Sequence, residues 1–222
     1  MSERSRQLFG IAGADIRGAI FDLDGVLVDT ARYHFLAWRR LARELGFEFR
    51  EEDNERLKGV SRMRSMEILL EIGGLELDER ARKEAAERKN LWYAQSLGGL
   101  DESALLPGAR EYLLFLRENG APAALGSASR NARPVLERLG LSALLDAVID
   151  GNSVSRAKPD PEVFLKGAEA LGLAPQACVV FEDALAGVQA ARAAGMSVIA
   201  VGKETLLPGA DFWISSLADM PR

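Results

Sequence analysis

Five short apolar runs, each closing on a polar or glycine-rich turn, most narrowly limit what this 222-residue chain can fold into. They are GAIFD at 18–22, APAALGS at 121–127, DAVID at 146–150, ACVVFED at 177–183 and MSVIAVG at 196–202, with a weaker sixth, DFWI, at 211–214. Helical-looking segments accompany them: ARPVLERLG, PEVFLKGAEALG and ALAGVQAARAAG. Strands that alternate with helices of this length pair in parallel, because a parallel neighbour requires a crossover and the crossover helix covers the sheet. The expected class is α/β: a Rossmann-like parallel sheet with helices on both faces and right-handed connections.

Residues 31 to about 100 carry no strand pattern. ARYHFLAWRRLARELG sets Trp38, Leu41 and Leu45 at helical spacing, and Gly46 reads as the stop. SRMRSMEILLEIGG puts Met63, Met66, Leu69 and Leu70 on one stripe, and LDERARKEAAERKNLWYAQSLGG reads as a long helix with Asp78 near its start. This is an all-helical insert placed after the first strand, with edges at LVDT (27–30) and ALLPGAR (104–110). The expected division is a flexible N-terminal extension at 1–17, a catalytic core at 18–29 and 105–222, and a helical cap at 30–104.

Composition narrows the partners. A net charge of -5 gives no reason to expect nucleic acid or an anionic membrane surface. No apolar stretch approaches the roughly 18 residues of a membrane span, and MSERSRQLFGIAGADIRG lacks a secretory apolar region. The single cysteine, Cys178, excludes an internal disulfide and reads as a small buried residue within ACVVF. A cytoplasmic monomer acting on a small molecule is expected.

The chemistry lies at the strand ends, where open parallel sheets bind their ligands. Asp22 and Asp24 follow the first strand two residues apart, and Gly25 comes next. Residues two apart on an extended chain point the same way. Two carboxylates aimed at one point call for a cation, and Mg2+ takes oxygen ligands together with substrate phosphate. Ser127 and Ser129 close the second run, Glu182 and Asp183 close ACVVF, and Lys158 stands in SRAKPDPE before a helix. Taken singly, the lysine reads as a solvated charge, the serine as a turn residue and the acid pair as a helix cap. Jointly they read as a phosphoryl-transfer site. A carboxylate approaching a phosphate meets ~4 kcal/mol of repulsion per charge pair at about 4 Å and an effective dielectric near 20, which a metal and a lysine offset. Asp22 is the candidate nucleophile and Asp24 the general acid and base. Ser127 is a donor to the phosphoryl group and Lys158 its counter-charge. Asp22, the Asp24 carbonyl, Glu182 and Asp183 are the candidate Mg2+ ligands, one ion per chain.

These four segments together resemble the haloacid dehalogenase-like phosphotransferases: DLDGVLVDT their first motif, SAS the second, the Lys158 segment the third and FEDALAGVQAARAAG the fourth. Within them the cap is similar to that of the β-phosphoglucomutases. DTARYHFLAWRRLA, with Thr30, His34 and Trp38, resembles the hinge and first cap helix. LKGVSR, with Gly59, Val60 and Arg62, resembles the cap loop, and ERKN at 87–90 a later cap helix. SASRN, with Ala128, Ser129, Arg130 and Asn131, resembles the phosphate loop, Arg130 standing where lysine is expected. The resemblance implies β-glucose 1-phosphate and glucose 6-phosphate as substrates, β-glucose 1,6-bisphosphate as phosphoryl donor, an aspartyl phosphate on Asp22, and Arg62 with Arg130 and Asn131 at the distal phosphate. It implies too that His34 sits near Asp24. The alternative is a Mg2+-dependent sugar-phosphate phosphatase on the same scaffold. Spacing alone leaves Lys58 and Lys89 open as Schiff-base lysines of a phosphonatase, and the intact acid set argues against a non-catalytic phosphate sensor.

Overall fold

The computed structural model of the protein describes residues 7–11 and 15–221. Its strands are β1 (Gly18–Phe21), β2 (Ala123–Gly126), β3 (Ala147–Ile149), β4 (Cys178–Glu182), β5 (Ser197–Val201) and β6 (Phe212–Ile214). They form one sheet in the order β3-β2-β1-β4-β5-β6, with parallel pairings throughout. The chain winds from β1 out to β3, then crosses back to set β4 on the other side of β1. That reversal is where a crevice opens beyond the strand ends.

Strand alternation divides the core between the two faces. Ala19 and Phe21 join one buried cluster, in which Phe21 stacks on Phe181 at 4.7 Å and meets Tyr112 edge-on at 6.0 Å. Ile20, Val180 and Cys178 join the other, with Phe164 of the helix Glu162–Ala170. Each fully buried aromatic or aliphatic side chain contributes about 1.5–3 kcal/mol relative to exposure.

The segment between β1 and the helix Ala109–Glu118 is helical: α1 (Ala31–Glu44), α2 (Glu51–Asn54), α3 (Arg62–Gly73) and α4 (Glu79–Ser96). Ser61 caps α3 by accepting from the Arg64 amide, and Asp78 caps α4 by accepting from the Ala81 amide. This cap has its own buried cluster around Trp38, Leu41, Met66, Leu69 and Ala86. Its two connections to the core run side by side, with Asp29 N–H donating to the Ala104 carbonyl and Leu106 N–H to that of Leu27.

Three sequence readings need correction. The stretch read as a flexible extension packs where it is described: Leu8, Phe9, Ile11 and Ile16 are buried in the Phe21 cluster, and the Tyr112 hydroxyl donates to the Leu8 carbonyl at 2.8 Å. Its apolar residues match a groove that only the folded core creates; residues 1–6 and 12–14 lie outside the described residues. Met63 stands exposed, while Ser65 and Ile68 turn inward on α3. The helix Ala109–Glu118, absent from the sequence reading, buries Ala109, Tyr112, Leu113 and Leu116 at helical spacing.

Phe9→Ala should therefore destabilise the protein by about 3–5 kcal/mol. A urea unfolding midpoint indistinguishable from wild type would show that the segment does not pack as described.

Candidate active site

Strand register assembles the first part of the site. Phe21 pairs with Phe181 on one side and with Leu125 on the other. The next residue of β1, Asp22, therefore lies beside Glu182 and just short of Ser127, and its amide donates to the Phe181 carbonyl at 2.9 Å. By parity Asp22 and Glu182 belong to the Ile20 and Val180 side of the sheet. Lys158 arrives on that side in the loop before the helix Glu162–Ala170. Its Nζ lies 2.6 Å from Asp22 Oδ1, 2.8 Å from Glu182 Oε2 and 4.7 Å from the centre of the Phe164 ring. All three charged groups and Ser127 are buried. Burial pulls the Lys158 ammonium toward neutrality, but the Asp22 and Glu182 carboxylates more than offset it, so its net shift is upward.

Carboxylates crowd the opposite side of Asp22. Gly25 turns at φ +85°, and a Cβ there would stand 2.1 Å from Asp183 Oδ2, so only glycine admits this approach. Asp22, Glu182 and Asp183 each offer an oxygen within 4.8 Å of the others. Burial, then the neighbouring Glu182 charge, pushes Asp183 well above the ordinary carboxylate range. An all-oxygen, anionic donor set held this close with too little cationic compensation fits Mg2+. The Asp24 side chain is not part of that set. Its amide donates to Asp22 Oδ2 at 3.0 Å, and its carboxylate turns toward the cap.

There the buried Thr30 hydroxyl donates to Asp24 Oδ1. His34 Nε2 lies 4.0 Å from the same oxygen, and Lys89 Nζ lies 2.9 Å from His34 Nδ1. While Lys89 is an ammonium it has only donors, and then Nδ1 accepts and Nε2 carries the hydrogen facing Asp24. Burial, then the charges of Lys89 and Arg62, holds His34 well below its ordinary pKa, so it is neutral. Withdrawal from water, then the Asp22 charge, raises Asp24 to about 6, although the Thr30 hydrogen bond opposes this. Burial, then Arg62, lowers Lys89 to about 7. Its ammonium lies over the Trp38 and Tyr93 rings, 4.5 and 4.9 Å from their centres, and Tyr93 stacks on His34. Trp38, for which the sequence leaves cap anchor and sugar contact both open, is buried in the cap cluster beneath that lysine and packs there.

The remaining residues form a rim. Gly59 turns at φ +69°, and a Cβ on it would lie 2.6 Å from that of Ala184, so the cap loop touches the loop after β4. Val60 packs, half-buried, against the cap cluster. Arg62 pairs with Glu87 at 2.8 Å. The loop after β2 is self-bonded: Ser127 Oγ accepts from the Ser129 amide and Ser129 Oγ from the Asn131 amide. Ala128 is half-buried, Arg130 is exposed, and Asn131 Nδ2 donates to Asn90 Oδ1 at 2.9 Å, joining core to cap. Lys58 pairs with Glu55 on the cap loop, and its charge also acts on Asp183. Sequence reasoning did not single out Tyr93, Glu87 or Asn90, and it carried Lys89 only as an open lysine. The signal was the ERKN segment with Tyr93 one turn on, which puts Glu87, Lys89, Asn90 and Tyr93 within two turns of one helix.

A sheet of this order with acids, a serine and a lysine at its strand ends, under a helical cap, defines a phosphotransferase-type site. A sequence model of the haloacid dehalogenase-like hydrolases matches residues 16–195, and the chain belongs to that family. It is 39% identical over 207 residues to a β-phosphoglucomutase of Bacillus subtilis, covering 92% of each chain. It is 36% identical over 189 residues to a phosphorylated carbohydrates phosphatase of Thermotoga maritima, covering 83% of this chain and 84% of that one. Its structure matches that of a β-phosphoglucomutase from Clostridium difficile with a TM-score of 0.87 and 38% identity, covering 91% and 92% of the two chains. The protein is an enzyme. Among the described residues no helix is long and apolar enough to cross a membrane.

Lys89 has a stability signature. Its proton is held less firmly in the folded state, near 7, than in the unfolded chain, near 10.5. Between those values the unfolded state binds more protons, so the cost of burying the charge is full below about 7 and falls away as pH rises toward 10.5. The stability difference between Lys89→Met and wild type should shift in favour of wild type across that interval in chemical denaturation; a pH-independent difference would contradict the assignment.

Proposed function

We propose that this enzyme is a β-phosphoglucomutase, interconverting β-D-glucose 1-phosphate and β-D-glucose 6-phosphate through β-glucose 1,6-bisphosphate. The observation that carries the reading is the presence of two separate cationic stations under one cap. Lys158 and Ser127 stand at the sheet end, and Arg62 with Arg130 and Asn131 stands at the rim. A substrate phosphorylated at both ends requires two such stations.

In this reading an Asp22 oxygen attacks a phosphorus of β-glucose 1,6-bisphosphate in line, the bond from phosphorus to the sugar oxygen breaks, Asp24 protonates that leaving oxygen, and the phosphoryl group stays on the enzyme as an aspartyl phosphate. Asp24 takes the proton of the sugar hydroxyl that receives the phosphoryl group, forming the bisphosphate. After the bisphosphate has turned over, Asp22 attacks its other phosphate and Asp24 returns the proton to the leaving sugar oxygen. A carboxyl that titrates near 6 exchanges protons readily in both directions. Lys158 and the Ser127 hydroxyl hold the transferring group. Asp22, Glu182, Asp183 and the Asp24 carbonyl would hold Mg2+, which supplies the charge neutralisation that lets a carboxylate meet a phosphate. Thr30 and the neutral His34, held by Lys89, orient Asp24. The cap, seated through Asn90–Asn131 and Gly59–Ala184, keeps water from the aspartyl phosphate.

A sugar-phosphate phosphatase is the second reading, favoured by the similarity to the Thermotoga maritima phosphatase. The two differ in whether water reaches the phosphoenzyme.

The deciding assay supplies β-glucose 1-phosphate, Mg2+ and a trace of β-glucose 1,6-bisphosphate, and follows glucose 6-phosphate and free phosphate together. Bisphosphate-dependent glucose 6-phosphate formed well ahead of phosphate is expected; phosphate release with little glucose 6-phosphate would make the enzyme a phosphatase. Asp22→Asn should lower turnover at least about a thousandfold with an unchanged circular dichroism spectrum. EDTA should silence turnover and Mg2+ restore it, whereas activity that survives EDTA would remove the metal from the scheme.

A further inference from the structure

Arg62, the cap's candidate for the phosphate that does not react, already holds an anion. Its Nη1 donates to Glu87 Oε1 at 2.8 Å, joining the first turn of α3 to α4. The arginine side chain is 16% exposed and the glutamate 53%, so the cation lies inward and the carboxylate at the mouth. Arg130, across the rim, repels Arg62 by charge. Asn90, three residues beyond Glu87 on the same helix, bonds Asn131 of the Arg130 loop. Glu87 is thus the carboxylate on Arg62 while the cap rests on the core.

We propose that Glu87 is a surrogate anion for the distal station: it occupies one arm of the Arg62 fork until a phosphate dianion displaces it, and so sets affinity and selectivity there. The inference rests on the distal role proposed for Arg62. An ion pair whose acid is half in water is weak and yields at little cost. A phosphate dianion brings nearly two charges and several acceptors to a guanidinium fork, which suits it better than one carboxylate does. A neutral sugar offers no such exchange and leaves Glu87 in place, so the carboxylate selects against unphosphorylated or weakly charged ligands. A carboxylate left beside the bound phosphate also repels it, so it lowers affinity even after it moves aside.

The test is calorimetric titration of inorganic phosphate into the intact protein as wild type, Arg62→Ala, Glu87→Gln and Glu87→Asp. Arg62→Ala should weaken the distal binding event. Glu87→Gln should tighten it about two- to fivefold, the effect of removing one half-exposed like charge, and the gain should shrink with added salt. Glu87→Asp should bind close to wild type. Tightening is informative because a merely damaged fold would weaken binding. In turnover the same Glu87→Gln change should lower KM without raising kcat. If Arg62→Ala weakens phosphate binding but Glu87→Gln binds equally or less tightly, the surrogate role is overturned and the distal role stands. If Arg62→Ala binds phosphate as wild type does, the distal role falls and the surrogate with it.

Discussion

One buried lysine shared by two buried carboxylates is the interaction around which the core is arranged. Lys158, Asp22 and Glu182 come from residues far apart in the chain, and each would be costly to bury alone. Their grouping is tolerable because backbone and ring partners surround them: the Ala184 amide donates to Glu182, the Asp24 amide donates to Asp22, and Phe164 lies beneath the ammonium. The parallel register of β1 with β4 sets the two acids side by side, and the helix Glu162–Ala170, packed on the same face, brings the lysine in. A slip of one residue in that register would turn Asp22 or Glu182 to the other face of the sheet and separate them. Sheet pairing and site chemistry are therefore the same constraint.

The triad leaves Asp183 and part of Asp22 unbalanced, and the cap side carries an opposite excess. Lys89 faces Asp24, Arg62 lies within charge range of Lys89 and of Arg130 from the core loop, and Glu87 pairs with Arg62 as partial compensation. The two halves of the site are thus electrically complementary to a metal on one side and to a phosphorylated ligand on the other. His34 stays neutral between them because burial, then the charges of Lys89 and Arg62, disfavours its protonation. Cap and core meet at the rim of the site through small groups and single polar bonds, as at Gly59 with Ala184 and Asn90 with Asn131. Behind the site, Ala37, Tyr93, Leu97 and Leu100 of the cap join the apolar cluster of the core.

Much of this was legible in the chain. The apolar runs became strands within a residue or two, since period-2 patterning bounded by turn residues is a local signal. Asp22, Asp24, Ser127, Lys158, Glu182 and Asp183 were found because strand ends are readable and polar groups there are conspicuous. The helix Ala109–Glu118 was overlooked beside the Pro107–Gly108 turn, although its apolar spacing is regular. The packed N-terminal segment was not legible: Leu8, Phe9 and Ile11 in a charged stretch do not reveal a groove beside Tyr112 that only forms once the sheet is covered. The role of Trp38 stayed open between cap anchor and sugar contact because the face a helical residue presents depends on which helix packs against it.

By itself the sequence determined the α/β alternation, the helical insert and the residues at the strand ends, because backbone periodicity and turn chemistry act within a few residues. Only the tertiary structure decided that Glu182 shares Lys158 with Asp22, that Lys89 reaches His34, and that Arg62 is matched with Glu87. Those pairings join residues 24 to 136 positions apart. They depend on helix rotation, strand register and side-chain direction, and charge acts over distances in space that spacing along the chain does not encode.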